Sequence, residues 1–584
     1  MHMRKNATLS GKLKTSTMAK NKAVSPVSAA RKILQLLRLD KKDVYAIYAF
    51  AVLAGIVQLA LPLGIQSIIG FVMAGTISAS IVVLIILVLA AVLLNGLLQV
   101  RQIQVTEKIQ QKIFVRYAFE YADRIPKLNI EKLDGYYLPE LVNRFFDTAS
   151  LQKGIEKILL GVPAAIMQIL FGVLLLSLYH PIFVGFGFIL LLLLYLILKF
   201  TMPAGFDASI EASNQKYATA GWLEEIARLV KTFKYAKNTS LNVAKTDKIV
   251  SKYLQARTAY FNVLLTQYWS LISFKLVITA AMLMVGAFLL VDQQINVGQF
   301  IAADIVILSV ISSVEKLIGT LDKVYDVLTS VEKLSKITES DTETQGSVLL
   351  PDIAEGVSIA FSKVNFGYHN TNKVLQNISF TMQPGQKICI MGESGSGKSS
   401  ILRILTGAYR NFDGSVLIEN LPIGNYSLDS IRSQTGILLN QQEIFEGTIW
   451  ENLTMGNPAI KHTDVYDLIK LSGLQNFIAS QPKGFDTHLD PMGKIVSAEI
   501  KQTILLLRAL IGKKRLLLLE DPTNNISFTN QAQIIDYIFM DKTNTTILTT
   551  SDKAIAQKSD YIIYLKNGII KAIGTYNEVA PIIS

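Results

Sequence analysis

The sequence predicts a six-helix all-α transmembrane domain followed by an α/β domain built around a phosphate-binding loop. No charged residue occurs from Val44 to Val100 or from Ile158 to Leu198. Each run far exceeds the ~18 apolar residues that mark one membrane helix, so each holds two passes. Beyond residue 335, short apolar strands alternate with helical patterns, as in a soluble α/β unit. That region contains Gly392-Glu393-Ser394-Gly395-Ser396-Gly397-Lys398-Ser399, which fits G-x-x-x-x-G-K-[ST].

A chain of 584 residues is too long for one core. Its 50% hydrophobic content and mean hydropathy of +0.37 come mainly from residues before 325. The net charge of +12 raises the question of nucleic acid. The basic residues, however, lie beside the apolar runs, so positive-inside topology accounts for them and no nucleic-acid partner is expected. The one cysteine, Cys389, excludes an intramolecular disulfide and reads as a small buried residue.

Residues 1–43 form a basic N-terminal segment. Residues 1–42 carry eleven Lys or Arg against one acid, Asp40, with no secretory signal, so this end is expected in the cytoplasm. From Val27 to Leu39, the helical spacing of Ala30, Ile33, Leu34 and Leu37 predicts an amphipathic helix on the inner membrane face. The membrane domain is assigned to 44–334. Its spans are near 45–73 and 80–100, turning at Gly75-Thr76-Ile77-Ser78, then 158–179 and 182–200, turning at His180-Pro181. The last two are 263–291 and 298–317. Residues 101–157, with ten basic residues and a break at Asp134-Gly135-Tyr136-Tyr137, and residues 201–260 read as cytoplasmic extensions of these helices. Both termini then lie inside.

Two charges fall within the last spans. Lys275 precedes the outer turn by 17 residues, about 25 Å at 1.5 Å per residue, which places it at the inner interface where its stem can snorkel. Asp304 lies six residues into the sixth span, and either lines a translocation path or pairs with a neighbouring helix. Residues 335–356 read as a polar linker and 357–584 as the α/β domain, with strands at Lys387–Met391, Thr435–Leu439, Arg515–Leu519 and Thr545–Thr549.

In the loop, Gly392, Gly395 and Gly397 let backbone N–H groups turn inward as an anion cradle. Ser394, Ser396 and Ser400 complete its lining. Lys398 reaches terminal phosphates, Ser399 offers a hydroxyl to Mg²⁺, and the helix opening at Ser400 points its N-terminus at the anion.

With Phe366-Gly367-Tyr368, Phe445-Glu446-Gly447-Thr448-Ile449, Glu451-Asn452-Leu453, Leu507-Arg508-Ala509-Leu510, Asp521-Pro522-Thr523 and Tyr564-Leu565-Lys566-Asn567-Gly568, the chain from about residue 30 onward resembles an ABC exporter half-transporter of the bacterial secretion-exporter type. The resemblance implies ATP and Mg²⁺ as cofactors, with Tyr368 stacking on adenine. It implies a dimer in the cell (inner) membrane in which each ATP lies between one subunit's phosphate loop and the other's signature motif. Such exporters often work with a membrane-fusion adaptor.

The hydrolytic positions depart from the family pattern. The expected Asp-Glu is Glu520-Asp521, which leaves Glu520 for Mg²⁺ and the shorter Asp521 to polarise the attacking water. The metal-side glutamine falls at Asn440, or at Gln441 if the register slips. Of the signature L-S-G-G-Q only Ser497 survives, with Ala498 and Glu499 replacing the glycines, and Glu499 is expected to bring negative charge toward phosphate. The switch histidine is Ser551. Because the chain would degrade its own site and its partner's, a homodimer is at least as consistent as a heterodimer with another half-transporter. Two functions follow: an exporter subunit with weak hydrolysis, or a hydrolysis-deficient, ATP-liganded regulatory or structural subunit of a secretion assembly.

Overall fold

The computed structural model describes residues 26–74, 79–133, 138–236, 239–368, 373–490 and 496–583. The turn at Gly75–Ser78, the break at 134–137 and the basic tail before Pro26 lie outside them. The chain divides into two units, Met1–Lys127 with Tyr136–Ser340, and Leu128–Gly135 with Asp341–Ser584.

In the first unit, six helical segments are long and apolar enough to cross a membrane: Lys41–Met73, Ala79–Lys127, Leu138–Tyr179, Ile182–Arg228, Leu241–Val291 and Val297–Thr338. All six apolar stretches fall inside them. The first is two helices, α2 (Lys41–Gln58) and α3 (Ala60–Met73). Pro62 has no N–H to donate to the Gln58 carbonyl, which accounts for the interruption at Leu59. Helix α4 (Ala79–Arg124) has 46 residues, about 69 Å at 1.5 Å per residue and twice the bilayer core. The extension predicted past residue 100 is therefore continuous helix. Its most apolar window has no buried residue, the surface expected of a helix solvated by lipid.

The long helices that follow are α5 (Asp147–Tyr179), α6 (Ile182–Arg228), α7 (Leu241–Val291), α8 (Val297–Gly319) and α9 (Leu321–Thr338). Helix α8 begins at a capping box, where Asn296 Oδ1 accepts from the Gln299 N–H (2.7 Å) and Gln299 Oε1 from the Asn296 N–H (2.9 Å).

Four expectations change. Helix α1 (Pro26–Arg38) does not lie on a membrane face alone. Ala29 and Ile33 are buried, and Lys32 binds α9 through Glu332 (3.1 Å) and Ser335 (2.8 Å) and also meets Glu339 (2.8 Å). Only the opposite side, with Val27 and Leu34, remains exposed. Lys275, expected to snorkel at the inner interface, gains a partner there, Glu315 of α8, at 2.6 Å. Asp304 is half-buried and makes no hydrogen bond or ion pair among the described residues, so pairing with a neighbouring helix is not observed. The linker assigned to 335–356 starts inside α9, which runs to Thr338 because Leu334 and Ile337 are both fully buried.

The second unit has a six-stranded sheet in the order β12-β11-β3-β10-β9-β6. Its strands are β3 (Lys387–Gly392), β6 (Thr435–Leu438), β9 (Leu516–Glu520), β10 (Thr545–Thr549), β11 (Tyr561–Lys566) and β12 (Ile569–Gly574). All are parallel except the β11/β12 hairpin. Beside it stands an antiparallel sheet, β2-β1-β4-β5, of Leu375–Met382, Ile359–Phe366, Phe412–Ile418 and Leu421–Pro422. Strands β7 (Gly447–Thr448) and β8 (His488–Leu489) pair separately. Residues 128–135, assigned above to the membrane domain, group with this unit. There Glu131 accepts the Arg410 and Asn411 N–H groups (3.3 and 3.2 Å), and the Asn129 N–H reaches the Asp341 carbonyl at 3.0 Å.

Arg515, 4% exposed, donates to the carbonyls of Glu355 (2.6 Å), Pro351 (2.9 Å) and Gly356 (2.9 Å) and to Glu419 (3.1 Å). It pins segment 351–356 to the start of β9. Arg515→Met strands three carbonyls and is expected to cost about 3 kcal/mol. The midpoint for heat loss of nucleotide binding should then fall by about 6–12 °C. Cys389 is fully buried in β3, and burial pushes its thiol up to about 12. N-ethylmaleimide at pH 8 should therefore leave the native protein unlabelled and modify one thiol per chain after denaturation.

Candidate functional site

Strand β3 lies between β11 and β10, so the order of strands reverses around it, and ligands of such sheets bind at the carboxyl ends of the strands. The loop leaving β3, Glu520 at the end of β9, Thr549 at the end of β10 and Asn440 just past β6 all gather there. Helix α10 (Lys398–Leu405) follows the loop directly.

Gly392 and Gly397 have φ of +152° and +102°. A Cβ at Gly392 would lie 2.1 Å from the Leu565 carbonyl oxygen, and one at Gly397 2.6 Å from Leu375 Cδ2. Only glycine fits either place. Lys398 Nζ donates to the carbonyls of Gly392 (2.7 Å) and Glu393 (2.8 Å), bridging its own loop. Burial lowers its pKa, against the pull of Asp521 and Glu520. Ser396 Oγ is buried without a hydrogen-bond partner among the described residues. An anion cradle containing an unused buried hydroxyl fits a phosphate chain.

Ser399 Oγ donates to Glu520 Oε1, while Glu520 Oε2 accepts the Asn440 N–H at 3.0 Å. Glu520 is 4% exposed. A hydroxyl and a carboxylate, both oxygen donors, suit Mg²⁺. Asn440 is thus the residue brought to the carboxylates. Gln441 is exposed and makes no hydrogen bond among the described residues.

Asp521 adopts φ +43°, and its N–H donates to the Thr549 carbonyl at 3.0 Å. Burial and the neighbouring Glu520 hold its carboxyl above its ordinary pKa, opposed by Lys398 and a hydrogen bond from Asn440. Ser551 is exposed just past β10, with a side chain too short to replace a histidine's reach.

The Tyr368 hydroxyl lies 3.0 Å from Ser400 Oγ and accepts from Arg403 Nη1 at 3.0 Å. Its ring meets Phe366 and Tyr409 edge to face, at 4.9 and 5.4 Å. Ser400, read as part of the cradle, is therefore engaged with Tyr368. Arg403 was missed as a partner of this ring, although a basic residue one turn into a phosphate-loop helix was visible in the sequence.

The degenerate signature caps α11 (Ala498–Leu510), with Ser497 Oγ accepting the Ile500 N–H at 3.2 Å. Glu499 has a hydrogen-bond partner within its own unit. Its Oε1 accepts the Ser527 N–H at 3.0 Å, at the start of α12 (Phe528–Met540). No sequence signal pointed to that pair.

A membrane domain of six spanning helices and a phosphate-loop domain with an acidic strand end define a transport-type nucleoside-triphosphate-binding protein. Family profiles agree: "ABC transporter transmembrane region" matches residues 44–314 and "ABC transporter" residues 375–524. The chain belongs to the ABC transporter family, as an exporter half-transporter in which membrane region and nucleotide domain are fused.

Among curated relatives, the alpha-hemolysin translocation ATP-binding protein HlyB of Escherichia coli O157:H7 is 26% identical over 63% of this chain and 52% of its own length. An uncharacterized ABC transporter ATP-binding protein, YfiB of Bacillus subtilis, is 30% identical over 43% of this chain and 44% of its own. The mitochondrial iron-sulfur clusters transporter ATM1 of Saccharomyces cerevisiae is 29% identical over 43% and 37%. The matched part thus spans about half or less of these relatives. A solved bacterial Atm1-family ABC exporter with ATP bound superposes with a TM-score of 0.83 over 93% of this chain and 96% of that one, at 19% identity. That likeness shows the fold.

Proposed function

We propose that this chain is an ATP-binding exporter subunit that acts as a dimer in the cell (inner) membrane, with both termini cytoplasmic, and hydrolyses ATP slowly. The observation that carries the reading is the Ser399–Glu520–Asn440 cluster with Asp521 beside it. Capture is intact there, and a carboxylate still follows the metal-side acid.

Ser399 and Glu520, with the side-chain carbonyl of Asn440, would hold Mg²⁺, which neutralises charge on the phosphates. Lys398 and the loop N–H groups bind and orient the phosphate chain, and Tyr368 supports adenine. Asp521 takes the proton of the attacking water. Its place directly after the metal-side Glu520, with its N–H fixed to the Thr549 carbonyl, is what suits it to that role. Its missing methylene works the other way, since a displacement of about 1 Å costs on the order of 10²-fold in rate. A homodimer is the simpler assembly, because Asp521 and Ser551 weaken this chain's own site and segment 496–500 weakens its partner's.

The test is nucleotide binding and phosphate release by the full-length protein in nanodiscs, with Lys398→Ala as blank. Slow release above the blank supports the exporter reading. Binding without release transfers the chain to the alternative, in which ATP only shifts a conformational equilibrium.

A further inference from the structure

The loop from Asp521 to Ser527 connects the acidic end of β9 to α12, and α11 grips it at both ends. At the near end, Gln502 Nε2 reaches the Asp521 and Pro522 carbonyls, each at 3.5 Å. At the far end, Glu499 Oε1 accepts the Ser527 N–H at 3.0 Å. Gln502 lies three residues after Glu499, so both project from one face of the helix. Between these points Gln531 of α12 binds the Thr523 (3.1 Å) and Ile526 (2.7 Å) carbonyls. Among the described residues Ser527 makes no side-chain capping bond to α12, so the Glu499 carboxylate meets the electropositive end of that helix.

We propose that Glu499 is a positioning residue: it fastens the signature segment to the loop behind Asp521, so that the two move as one piece and Asp521 is held in its left-handed conformation. The residue that breaks the glycine pattern thereby does structural work that glycine cannot do. Its carboxylate is engaged inside its own domain. Restoring glycine at 498 and 499 would remove this brace as well as the charge. The kinetic consequence rests on the slow-hydrolysis reading above, but the brace itself does not.

The experiment compares wild type, Glu499→Ala, Glu499→Gln and the Ala498→Gly/Glu499→Gly pair as full-length protein in nanodiscs. Hydrogen exchange of the 523–528 amides and ATP turnover are both read. Glu499→Ala and the glycine pair should speed exchange at Ser527 by about tenfold, the loss expected for one charge-assisted hydrogen bond. Glu499→Gln, which keeps an oxygen acceptor, should stay within about threefold of wild type. Turnover in Glu499→Ala should fall several-fold in kcat, with KM for ATP within about twofold. Unchanged exchange in Glu499→Ala overturns the brace. Turnover that rises equally in Glu499→Ala and Glu499→Gln, as removal of a repulsive charge alone would require, overturns the positioning role. Should the chain show no turnover, the slow-hydrolysis reading fails separately and the exchange comparison alone decides the brace.

Discussion

Lys398→Ala lowers nucleotide affinity by about 10²-fold in a fluorescent-nucleotide titration of the full-length protein. The ammonium is held over the loop by the Gly392 and Glu393 carbonyls, half-buried, with Asp521 and Glu520 near enough to act on its charge. A cation so placed meets a phosphate chain in a site of reduced dielectric, where losing one charged partner typically costs 2–5 kcal/mol or more. The glycines at 392 and 397 and the burial of Ile401 and Leu402 are untouched by the change, so the fold should survive. An affinity within about threefold of wild type would mean that phosphate binding rests on the backbone cradle alone.

Glu520→Gln has the second large effect, a fall in Mg²⁺-dependent turnover of about 10²- to 10³-fold. The Glu520 carboxylate accepts the Ser399 hydroxyl on one oxygen and the Asn440 N–H on the other. A glutamine has one carbonyl oxygen and must set its NH₂ against one of those donors. It also removes the one negative charge that stands against Ser399 for the metal. Nucleotide affinity without Mg²⁺ should change little, which separates this variant from Lys398→Ala. Equal turnover in the two proteins would show that Glu520 is not the metal-side carboxylate.

The spans and the phosphate loop were legible because their physics is local. A run such as Ile158–Leu198 has one reading at that length, and the glycines of the loop are dictated by backbone angles that other residues reject. The convergence of Ser399, Glu520 and Asn440 was readable only through the resemblance, which supplies the order of strands that spacing does not.

What stayed hidden depends on partners distant in sequence. Lys32 meets Glu332 across 300 residues, and nothing in the amphipathic spacing of α1 distinguishes a face turned to lipid from one turned to α9. Residues 128–135 carry the composition of a helical extension, yet Glu131 is bonded to Arg410 and Asn411. The acceptor role of Glu499 stayed hidden because it requires knowing that Ser527 stands beside it.

The most direct test of the account is single-turnover ATP hydrolysis by the wild-type protein against Asp521→Asn, each above the Lys398→Ala blank. The account predicts slow, Mg²⁺-dependent phosphate release in wild type that drops to the blank in Asp521→Asn, with nucleotide binding retained. Release unchanged in Asp521→Asn, or no release from wild type, would contradict it.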